Sequence, residues 1–454
     1  MEINKHVLSK STFMYGSQCT KRLFLHKFHN ELRNPEEEVQ QSIFSTGTDV
    51  GIIGRDLFPG GYNAEPPDSY SYHLSVEKTR NLIQAGAEII YEAAFSFEGV
   101  MCAIDILVKH DDKWYAYEIK GTTKVKEQHI IDAALQHYVI TQTGLPIEDF
   151  YISYLNNQYV LNDTLDVLSL FSKASVLKEV KEQEPLIISK IDELKTVIGL
   201  SEAPSIEAGD HCFSPYDCNF TNHCWAGIAA DEAKSDREAF IDKPYLSQFV
   251  SELKYPLFFW DLETLMPAIP EFKWSRPYQQ IPFQYSLHVI RSKEAELEHF
   301  EYLGDGFSDP REEMIKELIN ALGSEGSIIV WNQTFEISRL KEMARDFPKY
   351  KNELNAIIDR VVDLMIPFRK KMYYHPDFNE SYSIKKVLPV LVPELNYNAL
   401  TIQEGGTASV TYAELKNQTA EMQEEQRKHL LEYCKLDTLA MVEILKVIFN
   451  ESVL

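Results

Sequence analysis

The chain has 454 residues, 44% hydrophobic and 25% charged, which is the length of two domains or three and the balance of a folded globular protein. Lys+Arg 45 against Asp+Glu 69 leaves a formal charge of −24, which excludes a simple basic nucleic-acid coat protein. It does not exclude a nuclease, whose carboxylates hold metal ions that bring the positive charge themselves.

No uninterrupted apolar stretch approaches the roughly 20 residues that span a bilayer. The opening Met1-Glu2-Ile3-Asn4-Lys5-His6 is no signal-peptide apolar region. A cytoplasmic location with no membrane partner is the expectation. Thiols stay reduced there, so the six cysteines are read as ligands or core residues before disulfides.

In chain order, Ser11-Thr12 with Phe13, Met14, Leu23, Phe24 and Phe28 predicts a helical segment carrying Cys19. Residues 88–97, 100–108 and 113–120 read as strands, the last with period-two alternation, and 127–142 as a helix. These belong to a first α/β domain over 1–227. A polar, charge-rich stretch makes 228–250 a linker or solvated helix. A second α/β domain, 251–454, has strands at 257–263 and 327–331 and a long amphipathic helix at 421–449.

Asp105 lies inside an apolar strand, Cys-Ala-Ile-Asp-Ile-Leu-Val, and Glu118 and Lys120 share one face of the next because the side-chain period is two. Acids on neighbouring strands are costly unless compensated, and they make an oxygen pocket suited to Mg²⁺ or Mn²⁺. Taken alone, Glu118-x-Lys120 reads first as an ion pair on an exposed strand face, since such a triplet is very common. The wider order is Glu92, Asp105, Glu118-x-Lys120, then a helix with Gln136 and Tyr138. It resembles the PD-(D/E)XK nucleases of the RecB type. The resemblance implies that Asp105 and Glu118 hold metal, that Lys120 acts on the attacking water, and that Glu92 is the upstream acid. It also implies a Gln/Tyr helix against the DNA backbone, though the Gln136-His137-Tyr138 spacing is shorter than the family's.

Cys212, Cys218 and Cys224 recur at x5 intervals in a Pro- and Asn-containing loop and lack one ligand for a tetrahedral or cubane site. Cys19 is the natural fourth. The arrangement resembles the iron–sulfur staple of AddB-type nucleases and CRISPR-adaptation exonucleases, which implies a [4Fe–4S] cluster. A zinc site using His211 or His223, and unligated buried thiols, are the alternatives. Cys102 and Cys434 read as small core residues.

Asp261 and Glu263 share one face of the aromatic strand Phe-Phe-Trp-Asp-Leu-Glu-Thr. Asn332-Gln333-Thr334-Phe335-Glu336 opens a helix, and Tyr433 and Asp437 share a face of another at i, i+4. Four acids in this order suit a two-metal mechanism. The pattern resembles the DEDD exonucleases with an RNase H-like fold, in the subtype whose third motif is Tyr-x3-Asp. That implies Asp261, Glu263, Glu336 and Asp437 as ligands and Tyr433 as the residue that positions the nucleophilic water. The family has Asp where this chain has Glu336, and the extra methylene is expected to shift one metal site. Asp363 is the runner-up ligand.

The joined pattern resembles a bacterial family of unknown function that couples a RecB-like, cysteine-containing nuclease domain to an RNase H-like exonuclease domain. The expectation is an α/β protein, a PD-(D/E)XK restriction-endonuclease-like domain followed by an RNase H-like mixed-sheet domain. Its implied activity is Mg²⁺- or Mn²⁺-dependent hydrolysis of DNA, with RNA still open, exonucleolytic on single-stranded ends, in repair or defence. The alternative is a nucleic-acid-binding or scaffold module with one or both sites inactive.

Overall fold

A computed structural model describes residues 8–35, 38–68, 71–226 and 238–452. The chain divides into two units, Met1–Ala229 and Ala230–Leu454. Each is an α/β arrangement on a mixed sheet.

The first unit's sheet has seven strands: β1 (Leu8–Ser9), β2 (Tyr62–Asn63), β3 (Ile89–Phe97), β4 (Val100–His110), β5 (Lys113–Lys120), β6 (Ile147–Leu155) and β7 (Phe171–Ser175). The turns Glu98-Gly99 and Asp111-Asp112 join β3, β4 and β5, and all four residues have positive φ. Two-residue turns of that conformation match the twist of an antiparallel pair. From β5 the chain crosses through the helix Glu127–Gln142 to the parallel strand β6. Ala133, Val139 and Ile140 of that helix close one core with Trp114, Ala116, Phe150 and the helix Leu177–Ile198. The segment around Cys19 is two helices, Lys10–Gln18 and Thr20–Phe28, rather than one. Cys19 is extended (φ −159°, ψ 120°), which breaks the helix and turns the thiol out of its register.

The second unit contains β8 (Phe240–Ile241), β9 (Leu257–Leu265), β10 (Ile281–Ile290), β11 (Leu297–Leu303), β12 (Ser327–Val330), β13 (Val361–Asp363) and β14 (Tyr373–Tyr374). The main sheet runs β11-β10-β9-β12-β13, antiparallel across its first three strands and parallel from β9 to β13. Period-two alternation in β9 divides its side chains between two cores. Phe258, Trp260 and Leu262 pack on Met314, Leu318, Leu340 and Met343 of the helices Arg311–Leu322 and Gln333–Asp346. Leu257, Phe259 and Leu265 face the long helix Ala420–Ser452 through Leu430, Ala440, Met441 and Leu445. Each fully buried large side chain contributes about 1.5–3 kcal/mol. Gly326, at φ +89°, permits the close approach that brings β12 to β9, since a Cβ there would stand 2.1 Å from the Pro256 carbonyl oxygen.

Of the stretch 228–250 expected as a linker, the part up to 237 lies outside the described residues. From Phe240 it belongs to the second unit: β8 pairs with β14, and Leu246 of the helix Lys243–Ser251 is fully buried. Among the described residues no helix is long and apolar enough to cross a membrane.

Candidate metal centres

The register that pairs Ile106 with Tyr91 on one side and Tyr117 on the other sets Asp105 between Glu92 and Glu118. Three acids thus lie on one rung of the first sheet. Glu92 holds φ +53° in the middle of a strand, a conformation costing about 1–3 kcal/mol and typical of functional sites. Its carboxylate meets Arg55 at 3.1 Å. Asp105 Oδ2 accepts the Ile119 amide at 2.6 Å, and burial, with Glu118 beside it, raises its pKa to about 8.

Glu118 and Lys120 continue the row of Trp114 and Ala116 toward the helix Glu127–Gln142, and Asp132 from that helix and Lys10 from the first helix complete the cluster. The Lys120 ammonium donates to Glu118 Oε1 at 2.8 Å and to Asp132 Oδ2 at 2.6 Å. Lys10, from the first turn of the first helix, donates to Glu118 Oε1 at 2.8 Å and lies 3.7 Å from Asp132 Oδ2. Burial would raise Asp132, but Lys10 and Lys120 outweigh it and hold the carboxyl at about 2. Burial likewise opposes the charge on both lysines, and the carboxylates overcome it. Sequence reasoning missed Lys10, Asp132 and Arg55. Asp132 had a signal, since it lies one helical turn before Gln136, whose amide donates to it at 3.3 Å. Gln136 is therefore turned toward the cluster, while Tyr138 packs edge-on against Phe97 in the core. Glu118 Oε2 is buried without a hydrogen-bond partner. An orphaned carboxylate oxygen beside Asp105 fits a hard divalent cation.

Cys19, Cys212, Cys218 and Cys224 line one cavity with Lys21, Arg22 and His211, and all four thiols are free. The Gln18 side chain ties the end of the first helix to this loop by donating to the carbonyls of His211 and Tyr216 at 2.8 and 2.7 Å. Cys218 N donates to Cys212 O at 2.7 Å and shapes the loop between them. Burial pushes the Cys218 and Cys224 thiols up, as it would where no cation is present to hold the thiolates. The donor set fits an iron–sulfur cluster or a zinc ion.

In the second unit Asp261 and Glu263 extend the β9 row that faces the long helix, which returns Asp437. Ligand oxygens of Asp261, Glu263 and Asp437 lie within 4.8 Å of one another. They line a cavity of about 240 Å³ with Glu336, Lys385, Tyr433 and others. Tyr397, which sequence reasoning missed, donates to Asp437 Oδ1 at 2.5 Å. Lys385 stands 5.4 Å from the ring centroids of both Tyr397 and Tyr433. Burial raises Asp437 to about 6, partly offset by Tyr397, Lys385 and Tyr433. Burial and Asp437 raise Glu263 to about 8, and burial with Asp437 and Glu263 drives Asp261 well above its ordinary value.

Glu336 lines the cavity but stands outside the close triplet. It is buried, raised to about 8 by that burial and by Asp363, and its Oε2 lacks a partner. Asp363 ends β13, with Oδ1 accepting the Met365 amide at 2.9 Å and Oδ2 3.8 Å from the Arg369 guanidinium. Cys434, expected as an ordinary core residue, places Sγ 4.0 Å from Asp261 Oδ2. Buried bonds from β10 fix the helix behind Asp437: Gln284 donates to Leu430 O at 2.8 Å, and Ser286 and His288 meet Thr438 at 2.7 and 2.8 Å.

Raised carboxyls have a consequence for stability. Free carboxylates in the unfolded chain titrate near 4, whereas Asp105, Glu263 and Glu336 titrate near 8 and Asp437 near 6 in the fold. The folded state therefore holds more protons across that window, and its stability falls as pH rises from about 4 to about 8. Melting in EDTA is expected at lower temperature at pH 8 than at pH 5.5, with Mn²⁺ restoring most of the loss at pH 8. A metal-independent melting profile would refute the assignment of these acids as cation ligands.

Residues 258–383 match the family model described as a domain of unknown function, DUF2779. That segment contains Asp261, Glu263, Glu336 and Asp363 and stops before Tyr433 and Asp437. The uncharacterized protein UU173 of Ureaplasma parvum is 30% identical over 217 residues, 43% of this chain and 31% of its own length. An uncharacterized MG366 homolog of Mycoplasma pneumoniae is 30% identical over 217 residues, 42% of this chain and 32% of its own. Uncharacterized protein MG366 of Mycoplasma genitalium is 28% identical over 218 residues, 43% of this chain and 32% of its own. The chain spans about a third of the length of these curated relatives, and the matches fit a family of unknown function.

Proposed function

We propose that this protein is a metal-dependent nuclease that hydrolyses DNA, acting on single-stranded ends, with a PD-(D/E)XK-type first domain and an RNase H-like DEDD-type second domain. The observation that carries the proposal is the triplet Asp261, Glu263 and Asp437, whose oxygens converge within 4.8 Å at an open cavity. Nothing in sheet packing favours three converging acids with raised pKa values, and a divalent cation between them removes the conflict. The Asp105–Glu118–Lys120 cluster on the other unit supports the same chemistry independently.

In the first site Asp105 and Glu118 would hold Mg²⁺ or Mn²⁺, which supplies Lewis acidity toward a phosphodiester. Lys120 is placed to orient a water beside Glu118, and Asp132 fixes the lysine. In the second site Asp261, Glu263 and Asp437 would hold the cation. Tyr397 and Tyr433 orient Asp437, and Lys385 supplies the cation on the rim. Glu336, with an orphaned oxygen, and Asp363, 3.8 Å from Arg369, are the pair available for a second ion. The four cysteines suit a [4Fe–4S] cluster. Anaerobically purified protein is expected to be brown, with absorbance near about 400 nm that Cys218→Ser abolishes. Colourless protein with stoichiometric zinc would assign the site to zinc.

A second reading is supported by Glu336 standing apart from the triplet: a nucleic-acid-binding module whose second site no longer turns over. The deciding experiment offers 5′- and 3′-labelled single- and double-stranded DNA and RNA to anaerobically prepared protein with Mn²⁺ or Mg²⁺. Shortened products that disappear in EDTA support the nuclease. Salt-dependent binding with no product on any substrate supports the binding module.

A further inference from the structure

Lys10 has no place in the expected constellation of the first site, yet it is built into it. It is the first residue of the helix Lys10–Gln18, where a cation opposes the helix dipole and where no acidic residue stands in the first turn to compensate. Its position is nonetheless fixed. Leu8 is fully buried and pairs with Val100 of β4, its amide donating to Gly99 O at 2.9 Å, and Ser9 caps the helix through a reciprocal bond pair with Thr12. An ammonium held against the dipole by this much local structure has a task outside the helix.

Within the cluster the charges are layered. The Glu118 side chain is 1% exposed, Asp132 8%, Lys120 19% and Lys10 29%, so Lys10 is the outermost member. Both lysines use Glu118 Oε1, which leaves Oε2 buried and unpartnered. With Glu92 balanced by Arg55 at 3.1 Å, a divalent cation at Glu118 and Asp105 would bring the rest of the site to three carboxylates, two ammoniums and the cation, with one positive charge in excess. Without Lys10 that excess vanishes. Lys10 is the outermost positive charge an incoming anion would meet.

We propose that Lys10 is a substrate-binding residue of the first site, releasing Glu118 to contact a phosphodiester oxygen of the nucleic acid that approaches the Asp105–Glu118 cation. This rests on the nuclease reading and assigns its outer phosphate contact. One contact of this kind has a signature that packing defects do not share. Each phosphate neutralised contributes about 0.7 to the slope of log affinity against log salt for a single strand. Its loss weakens binding of all sequences alike.

The test measures binding of labelled single-stranded DNA to the full chain in Ca²⁺ across a KCl series, with Mn²⁺ affinity measured separately. Lys10→Met is expected to bind DNA about tenfold more weakly, with a salt slope shallower by about 0.7. It should also bind Mn²⁺ at least as tightly as wild type, because a cation beside Glu118 has been removed. Lys10→Arg is expected to restore the slope. An unchanged slope in Lys10→Met, in wild type that binds and cleaves, overturns the Lys10 assignment alone. Weakened DNA and Mn²⁺ binding together, unrescued by arginine, makes Lys10 structural and overturns it equally. Wild type that neither binds nor cleaves nucleic acid removes the nuclease reading and this contact with it.

Discussion

Asp261→Asn is expected to lower cleavage by the second site about 10³-fold while stabilising the metal-free protein. The two effects have one cause. Asp261 is driven well above its ordinary pKa by burial and by Asp437 and Glu263, so in the absence of cation its charge is a liability. Asparagine keeps the shape and removes the charge. Higher stability than wild type at pH 8 in EDTA is the expected result in urea unfolding. The same substitution removes a cation ligand, and several kcal/mol of lost charge stabilisation makes about three decades in rate. A residue that mattered only for packing would show the opposite, with lower stability and cleavage lost only in proportion to unfolded protein.

Lys120→Met should reduce both fold stability and first-site cleavage, and a second substitution separates them. Lys120 closes contacts of 2.8 Å to Glu118 and 2.6 Å to Asp132 in a largely buried cluster. Removing one partner of such a group costs about 3–5 kcal/mol, because a charge is left behind. In Lys120→Met the group left with less compensation is Asp132, so adding Asp132→Asn should return most of that stability. Cleavage should not return, since a residue acting on the attacking water contributes about 10²-fold or more. Recovery of cleavage with stability in the double variant would make Lys120 a structural counter-ion and nothing more.

Much of this architecture is legible in the sequence for a local reason. Strands β3, β4 and β5 and the helix after them follow from period-two and 3.6-residue patterns over short windows. The pairing of Asp105 with Glu118 needs only one tight turn between their strands. What sequence does not carry is long-range register. Lys10 reaches Glu118 across 108 positions, and Tyr397 meets Asp437 across 40, through contacts no local periodicity encodes. The break at Cys19 was hidden because both flanking helices are amphipathic and no Gly or Pro marks the boundary. Cys434 looked like a core residue because it is one. That it also borders Asp261 depends on the angle at which the long helix crosses β9. Glu336 joins the cavity as its place in the order implies, yet its carboxylate stands outside the close triplet, where Asp363 repels its charge.

The central claim is that two acidic clusters on two units hydrolyse nucleic acid with bound divalent cations. Its most direct test is single-turnover cleavage of end-labelled single-stranded DNA in Mn²⁺ by wild type, Glu118→Gln, Asp261→Asn and the double variant, each shown folded by its melting profile. The account predicts that each single variant loses one component of the product pattern and that the double variant yields no product above background. A double variant that cuts at the wild-type rate would contradict it and place the chemistry elsewhere in the chain.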